Sequence, residues 1–173
     1  AITVDWSLPN NNAKMYVNGV YQASISKLGY TPTVNNSRAA LMIGGFGSSY
    51  TTSMFQGRLY SFRISSYLRY TENFTVDSTK PYFPTKPKVE NWAETSLLIN
   101  AIGLETNSTD ILDQKGNSVS IYGDTKVGVD SNGLSYINFD GSGDYLTAPN
   151  SINFDFGTGD FTVEFFISFN SVG

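Results

Sequence analysis

The sequence predicts an all-β fold, a two-sheet antiparallel sandwich, on three observations. Apolar and polar residues alternate with period two along most of the chain, and no stretch keeps helical spacing for long. Glycine, asparagine and proline divide the chain into short runs, the punctuation that two packed antiparallel sheets require. At 173 residues, 40% hydrophobic and 14% aromatic, the chain is long enough to bury one core.

The elements follow in order. Residues 2–6 alternate as a strand closed by Pro9 and a run of Asn. Residues 14–17 and 20–24 flank Asn18 and Gly19, a pair that suits a type I′ hairpin because both positions accept positive φ. Residues 39–43 form an apolar strand, followed by the loop GGFGSSYTTS. Along residues 55–65, Phe55, Leu59 and Arg63 alternate against Tyr60, Phe62 and Ile64, the face depending on whether Gly57 makes a bulge.

From 77 to 94 the alternation stops. Pro81, Pro84 and Pro87 interspersed with Lys mark a semi-extended connector. Strand signals resume at 96–100, 119–122, 135–139 and 145–147. The clearest run is Phe161–Phe169, with Phe161, Val163, Phe165, Ile167 and Phe169 on one face and Thr162, Glu164, Phe166 and Ser168 on the other.

Composition narrows function. Only 15% of residues are charged, and the polar remainder is largely Asn, Ser, Thr and Gly, a neutral hydrogen-bonding surface common in extracellular and virion β proteins. A net charge of −4 and a pI near 4.7 argue against nucleic acid, since no basic stripe neutralises phosphates. Without Cys there are no disulfides, and without His the commonest general base and metal ligand is missing. No apolar run approaches the roughly 20 residues of a membrane helix, so membrane insertion is not expected. The opening AITVDWS lacks the basic start of a signal peptide and reads as a strand, so the sequence is expected to begin mid-domain or to result from processing.

Motifs then add a resemblance, with its halves in reversed order. FDGSGDYL and FGTGDFTVEF, within residues 139–169, resemble the opening half of a laminin-G-like, concanavalin A-like lectin/glucanase domain of the phage or bacterial surface-protein type. LLINAIGLETNSTDILDQKGNSVSIYGD looks like that domain's first hairpin region, its D-x-x-G turn at 113–116. MYVNG, LMIGG, FQGRLYSFRIS and RYTENFT, at 15–19, 41–45, 55–65 and 69–75, resemble its closing half. The reversed order implies either a slice through tandem domains or, as expected here, one concanavalin A-like jelly roll circularly permuted relative to the family. Residues 1–76 would be the closing half, 77–94 the connector and 95–173 the opening half, all in a single sandwich over 1–173. Against the family, strands are missing between FISFNSVG and ITVDWS, which predicts a short sheet with an uncovered edge and apolar face. Such an edge would favour a homodimer. The acid pair often found after FxGxI is Tyr60 and Ser61 here, so no metal role carries over.

Each candidate site residue also has a plainer role. Asp160 and Glu164 share a strand face, but Thr162 stands between them, and residues four apart on a strand are about 13 Å apart. A retaining glycosidase needs its carboxyls about 5 Å apart. Asp160 therefore reads as the end of a Gly-rich turn and Glu164 as a solvated face residue. Asp140 and Asp144 bracket a Gly-Ser-Gly turn that offers calcium two carboxylates, whereas calcium takes about six to eight oxygens, so a structural turn outweighs a metal site. No cofactor other than that calcium candidate is suggested. Tyr30, Phe46, Tyr50 and Trp92 lie in loops, where aromatic faces can stack on sugar rings, although packing over the sandwich ends is their default role. The sequons at Asn35, Asn73 and Asn107 read as Asn-rich composition. Ser and Thr have no base to activate them, and GGFGSS lacks the Lys and helix of a phosphate loop.

The expected function is a non-catalytic recognition or adhesion module of a virion or cell-surface protein, extracellular or virion-associated, with a glycan or protein surface as its partner. A purely structural module without a small ligand is the alternative, and a degenerate glycoside hydrolase a distant third. A fold this common implies no single activity.

Overall fold

The computed structural model describes residues 2–5, 12–26, 40–45, 54–83, 91–157 and 159–170. Over these residues the protein is nearly all β, with antiparallel pairing throughout. Eleven strands are present: β1 (Ile2–Asp5), β2 (Asn12–Val17), β3 (Val20–Ser26), β4 (Leu41–Ile43), β5 (Gln56–Ser65), β6 (Thr95–Asn100), β7 (Ser120–Tyr122), β8 (Lys126–Val129), β9 (Ser135–Asp140), β10 (Tyr145–Ala148) and β11 (Phe161–Phe169). A single 3₁₀ turn, Ile152–Phe154, precedes β11 and is capped by Ser151 Oγ, which accepts from the Asn153 N–H.

The larger sheet runs β3-β2-β1-β11-β5-β9-β8, and a second sheet runs β4-β10-β7. The long strand β5 organises the first. One edge pairs with β11, while the other pairs with β9 at Gln56–Leu59 and with β6 at Ser61–Ser65. Strands from the first and last parts of the chain thus share one ladder. Ile2 of β1 lies opposite Val163 of β11.

Both sheets contribute to one core. Ile43, Leu146 and Ala148 of the smaller sheet cluster with Leu59, Ile64, Leu97, Ile99, Val127, Ile137 and Phe139 of the larger, and Val163 and Ile167 pack against them. This sandwich-like core joins both parts of the chain. Its burial is the main stabilising term, about 1.5–3 kcal/mol for each large side chain fully removed from water.

Two local features go beyond what the sequence pattern specifies. The bulge in β5 is at Tyr60, not Gly57: Phe166 faces Ser61 and Ile167 faces Leu59, leaving Tyr60 unmatched. That extra residue inverts the alternation. Leu59, Phe62 and Ile64 face the core, and Arg63 faces outward with Ser61 and Ser65. Gly57 has a different constraint, since a side chain there would collide with the Ser168 carbonyl of β11. The 77–94 segment is likewise more than a tether. Its residues 81–83 are pinned to the outer face of the larger sheet, where the Phe83 N–H donates to Ser61 Oγ at 3.2 Å and Asn100 Nδ2 donates to the Phe83 carbonyl at 2.8 Å. The Tyr82 hydroxyl donates to the Ser135 carbonyl at 2.7 Å.

The β2–β3 hairpin turns at Asn18 (φ 50) and Gly19 (φ 78), as the sequence pair predicts. Its tip is held by the Phe74 N–H donating to the Gly19 carbonyl at 2.9 Å. A Cβ on Gly19 would run into the Phe74 carbonyl.

Candidate functional site

Three places in the molecule concentrate chemistry. The first is the outer face of β11 and β5. Residues 67–74 fold over it and bury the polar side of both strands. Glu164 is 2% exposed, which corrects its reading as a solvated face residue. The reason is tertiary: the aromatic run after β5 supplies a second layer that alternation along β11 cannot reveal. Arg63, on the neighbouring strand, approaches Glu164 Oε2 through Nε at 2.8 Å and Nη2 at 2.7 Å. Arg69 Nε reaches the same oxygen at 3.2 Å and donates to Ser65 Oγ at 2.8 Å. The Tyr70 hydroxyl donates to Glu164 Oε1.

These contacts set the electrostatics. Burial and then the Glu164 charge push the Tyr70 hydroxyl far above its usual range, so it remains a donor. Burial and the Arg63 charge lower Arg69, and Glu164 opposes that shift. Two guanidinium groups share one carboxylate. Arg69 Nη2 is buried and, among the described residues, has no hydrogen-bond partner. Arg63 also stacks over Phe83, its Cζ 4.1 Å from the ring centroid, and Tyr70 stacks on Phe74 at 3.6 Å. Glu164 is saturated by three donors, an arrangement suited to clamping the covering segment onto the sheet.

The second place is a junction of two turns. Asp124, in the β7–β8 turn, joins Asp140 and Asp144 of the β9–β10 turn, their carboxylate oxygens within 4.8 Å of one another. The sequence supplied Asp140 and Asp144 as calcium candidates. Asp124 was missed, since only folding brings it close. Asp144 is fully buried, and both of its oxygens accept backbone N–H groups: Oδ1 from Asp124 at 2.9 Å and Oδ2 from Asp140 at 2.8 Å. Asp140 Oδ1 accepts from the Ser142 N–H at 2.6 Å. Burial raises the Asp144 pKa, the two N–H bonds oppose that shift, and the charges of Asp140 and Asp124 add to it. Gly123 permits the junction, because with φ +71 it passes so close to Asp144 that a side chain would collide. Asp144 thus acts as a clasp between two hairpin turns. Asp113 plays a similar part in the predicted D-x-x-G turn, accepting from the N–H groups of Leu98, Lys115 and Asn117.

The third place is the inner, core-facing side of the larger sheet, where the layers separate. A groove of about 490 Å³ opens there, lined by Met42, Met54, Phe55, Phe62, Phe165 and Ile167 among others. Phe165 stacks parallel to Phe62 at 6.3 Å, and Phe169 meets Phe55 edge-on at 5.6 Å. Both remain open to solvent, Phe165 by 37% and Phe169 by 56%. The exposure continues onto the β2–β3 wing. Ile2 pairs with both Val163 and Met15, so Met15 shares the core-facing side with Val163, and Val17, Val20 and Ile25 follow on that side by register. All four are exposed. This apolar surface is exposed, and nothing among the described residues closes it.

Of the aromatic candidates, Tyr30, Phe46 and Tyr50 lie outside the described residues. Trp92 is half-buried beside β6, with the Lys115 ammonium 4.6 Å from its ring centroid and donating to its carbonyl at 2.7 Å. One Trp92 face is thereby occupied. No helix among the described residues is long and apolar enough to cross a membrane. No protein-family model, curated protein or solved structure matches the chain.

Proposed function

We propose that this chain is a non-catalytic recognition module of a virion or cell-surface protein, built on a permuted concanavalin A-like sandwich. The observation that carries the reading is the open apolar groove between the sheets, continuous with exposed Phe165, Phe169 and the β2–β3 wing. Its volume of about 490 Å³ falls in the range of ligand sites, and an apolar surface of this kind marks an interaction face. Pairing of β1 with β11, first strand beside last, supports the permuted order. The absence of His and Cys from the sequence supports a non-catalytic role, as does the engagement of Glu164 by Arg63, Arg69 and Tyr70.

The test is binding by the intact chain to glycan and protein arrays, repeated with Phe169→Arg. The reading expects a saturable ligand whose binding the substitution abolishes while the melting temperature holds. Reducing-end release from a β-glucan that vanished in Glu164→Gln would overturn it in favour of a hydrolase. Failure to bind any glycan or protein would favour the purely structural module.

A further inference from the structure

A polar cleft of about 400 Å³ opens where the entry to β6, the turn around Lys115 and the stretch between β10 and β11 meet. Hydrogen bonds already hold these segments together. Asn117 Nδ2 donates to the Ser96 carbonyl at 2.9 Å, and Asn153 Nδ2 donates to Asn117 Oδ1 at 3.3 Å. On the other side Ser66 Oγ donates to the Glu94 carbonyl at 3.1 Å. The cleft is therefore formed in advance, which lowers the ordering cost of a ligand. Its polar groups are mostly acceptors. Asp155 is exposed, and its carboxylate has no hydrogen bond or ion pair among the described residues. Asp160 borders the same space. Ser96 lines it too, only 8% exposed, with a hydroxyl that has no partner among the described residues. The cation on the described wall is Lys115, and its ammonium is engaged by the Trp92 carbonyl and ring. At the rim Ile152 is 81% exposed, beside a Phe156 ring stacked on Phe161 at 4.9 Å.

We propose that this cleft takes an arginine side chain of a partner protein, with an adjacent apolar residue of that partner packed on Ile152. A cleft rich in acceptors selects a ligand rich in donors. The guanidinium group carries several N–H donors in a planar fork and no acceptor, and it pairs with carboxylates in that plane. Its flat faces are weakly hydrated and tolerate apolar neighbours such as Ile152 and Phe156, where the strongly hydrated ammonium of lysine does not. A saccharide hydroxyl needs donors from the wall as well as acceptors, and Lys115 is committed to Trp92. The net charge of −4 favours approach by a basic partner surface. This site is separate from the apolar groove, with which it shares no lining residue, and the proposal stands independently of that groove.

The probe is the blocked dipeptide acetyl-Arg-Leu-amide, titrated into the intact chain and followed by backbone amide chemical shifts. At millimolar peptide, saturable shifts should gather at Ser96, Lys115, Asn153 and Asp155. The citrulline analogue, which keeps the shape and loses the charge, should produce none. Asp155→Asn should weaken binding about tenfold, the loss of one hydrogen bond to a charged group. Ile152→Ser should weaken it by a smaller factor. Both positions are exposed, so the melting temperature should hold in each variant. Glu105→Gln, exposed and outside the cleft, should leave binding unchanged. Shifts spread equally over other exposed acids such as Glu72 and Asp110 would overturn the site, as would no shift at millimolar peptide or an equal response to citrulline. A response of the same amides to methyl glucoside but not to the arginine peptide would also overturn it, by assigning the cleft to a saccharide. The groove is decided separately, by the arrays with Phe169→Arg.

Discussion

The two faces of β11 invert the usual distribution. On the outer face, Thr162 is fully buried and Glu164 is 2% exposed, whereas on the inner face Phe165 and Phe169 are 37% and 56% exposed. Along most of this strand the polar residues Thr162 and Glu164 are the enclosed ones, and only at its end is polar Ser168 exposed. The difference comes from what lies above each face. Outside, residues 67–83 supply Tyr70, Phe74 and Phe83 as a lid, and the buried carboxylate is matched by guanidinium and hydroxyl donors. Inside, the smaller sheet covers the strands around Leu59 and Ile137 but leaves the far end of β11 and the wing bare. The outer face of β11 therefore anchors the covering segment, while the inner face leaves apolar surface exposed beyond the edge of the core.

The sharpest way to break the comparison is at Glu164. Glu164→Ala leaves Arg63 and Arg69 without a counter-charge in a buried site, a loss of about 3–5 kcal/mol that urea unfolding should register. A loss below 1 kcal/mol would mean that water reaches the outer face. Arg69→Met sharpens the point. It removes the surplus guanidinium, whose Nη2 has no partner among the described residues, and should be neutral or slightly stabilising, where Arg63→Met should cost several kcal/mol.

Next comes the turn junction. Asp144→Ala strips the acceptor from two backbone N–H groups and should cost about 2–4 kcal/mol. The wild-type Asp144 also has a pH signature. Its folded pKa is raised, so between its unfolded and folded values the native state holds the extra proton and stability falls as pH rises. Asp144→Asn removes that slope, and comparing the two urea-unfolding profiles from pH 3 to 6 checks the sign. Calcium should leave melting nearly unchanged. A site filled at 100 times its dissociation constant would add about 2.7 kcal/mol, an EDTA-reversible shift of several degrees.

At the inner face the expected effects are smallest. Ile25→Thr, at a residue 66% exposed, should change stability by less than about 0.5 kcal/mol in the isolated chain. A cost of 2 kcal/mol would show that this face is covered.

The period-two pattern made most of the strands legible, and Asn18-Gly19 located the hairpin, because each signal is local. The β8 strand, KVGV with an internal Gly, was missed, since it exists through pairing with β9. The Tyr60 bulge is not legible locally, because Gly57 carries the stronger signal while the register of β11 decides which residue is extra. At the candidate sites, Asp140 and Asp144 were visible as one turn, but Asp124 arrives from a separate turn. Glu164 reads from the sequence as a solvated face residue, because Arg63 and Tyr70, about 100 positions away, decide its burial and partners.

The most direct measurement of the inversion uses the chain's lack of Cys. Thiol-labelling rates of Phe169→Cys and Thr162→Cys, each in the intact chain, compare the two faces of one strand. Phe169→Cys should label close to the rate of an unstructured peptide, and Thr162→Cys only as fast as the protein opens. Equal rates, or a protected position 169 beside a reactive position 162, would contradict the inverted burial on which the recognition surface depends.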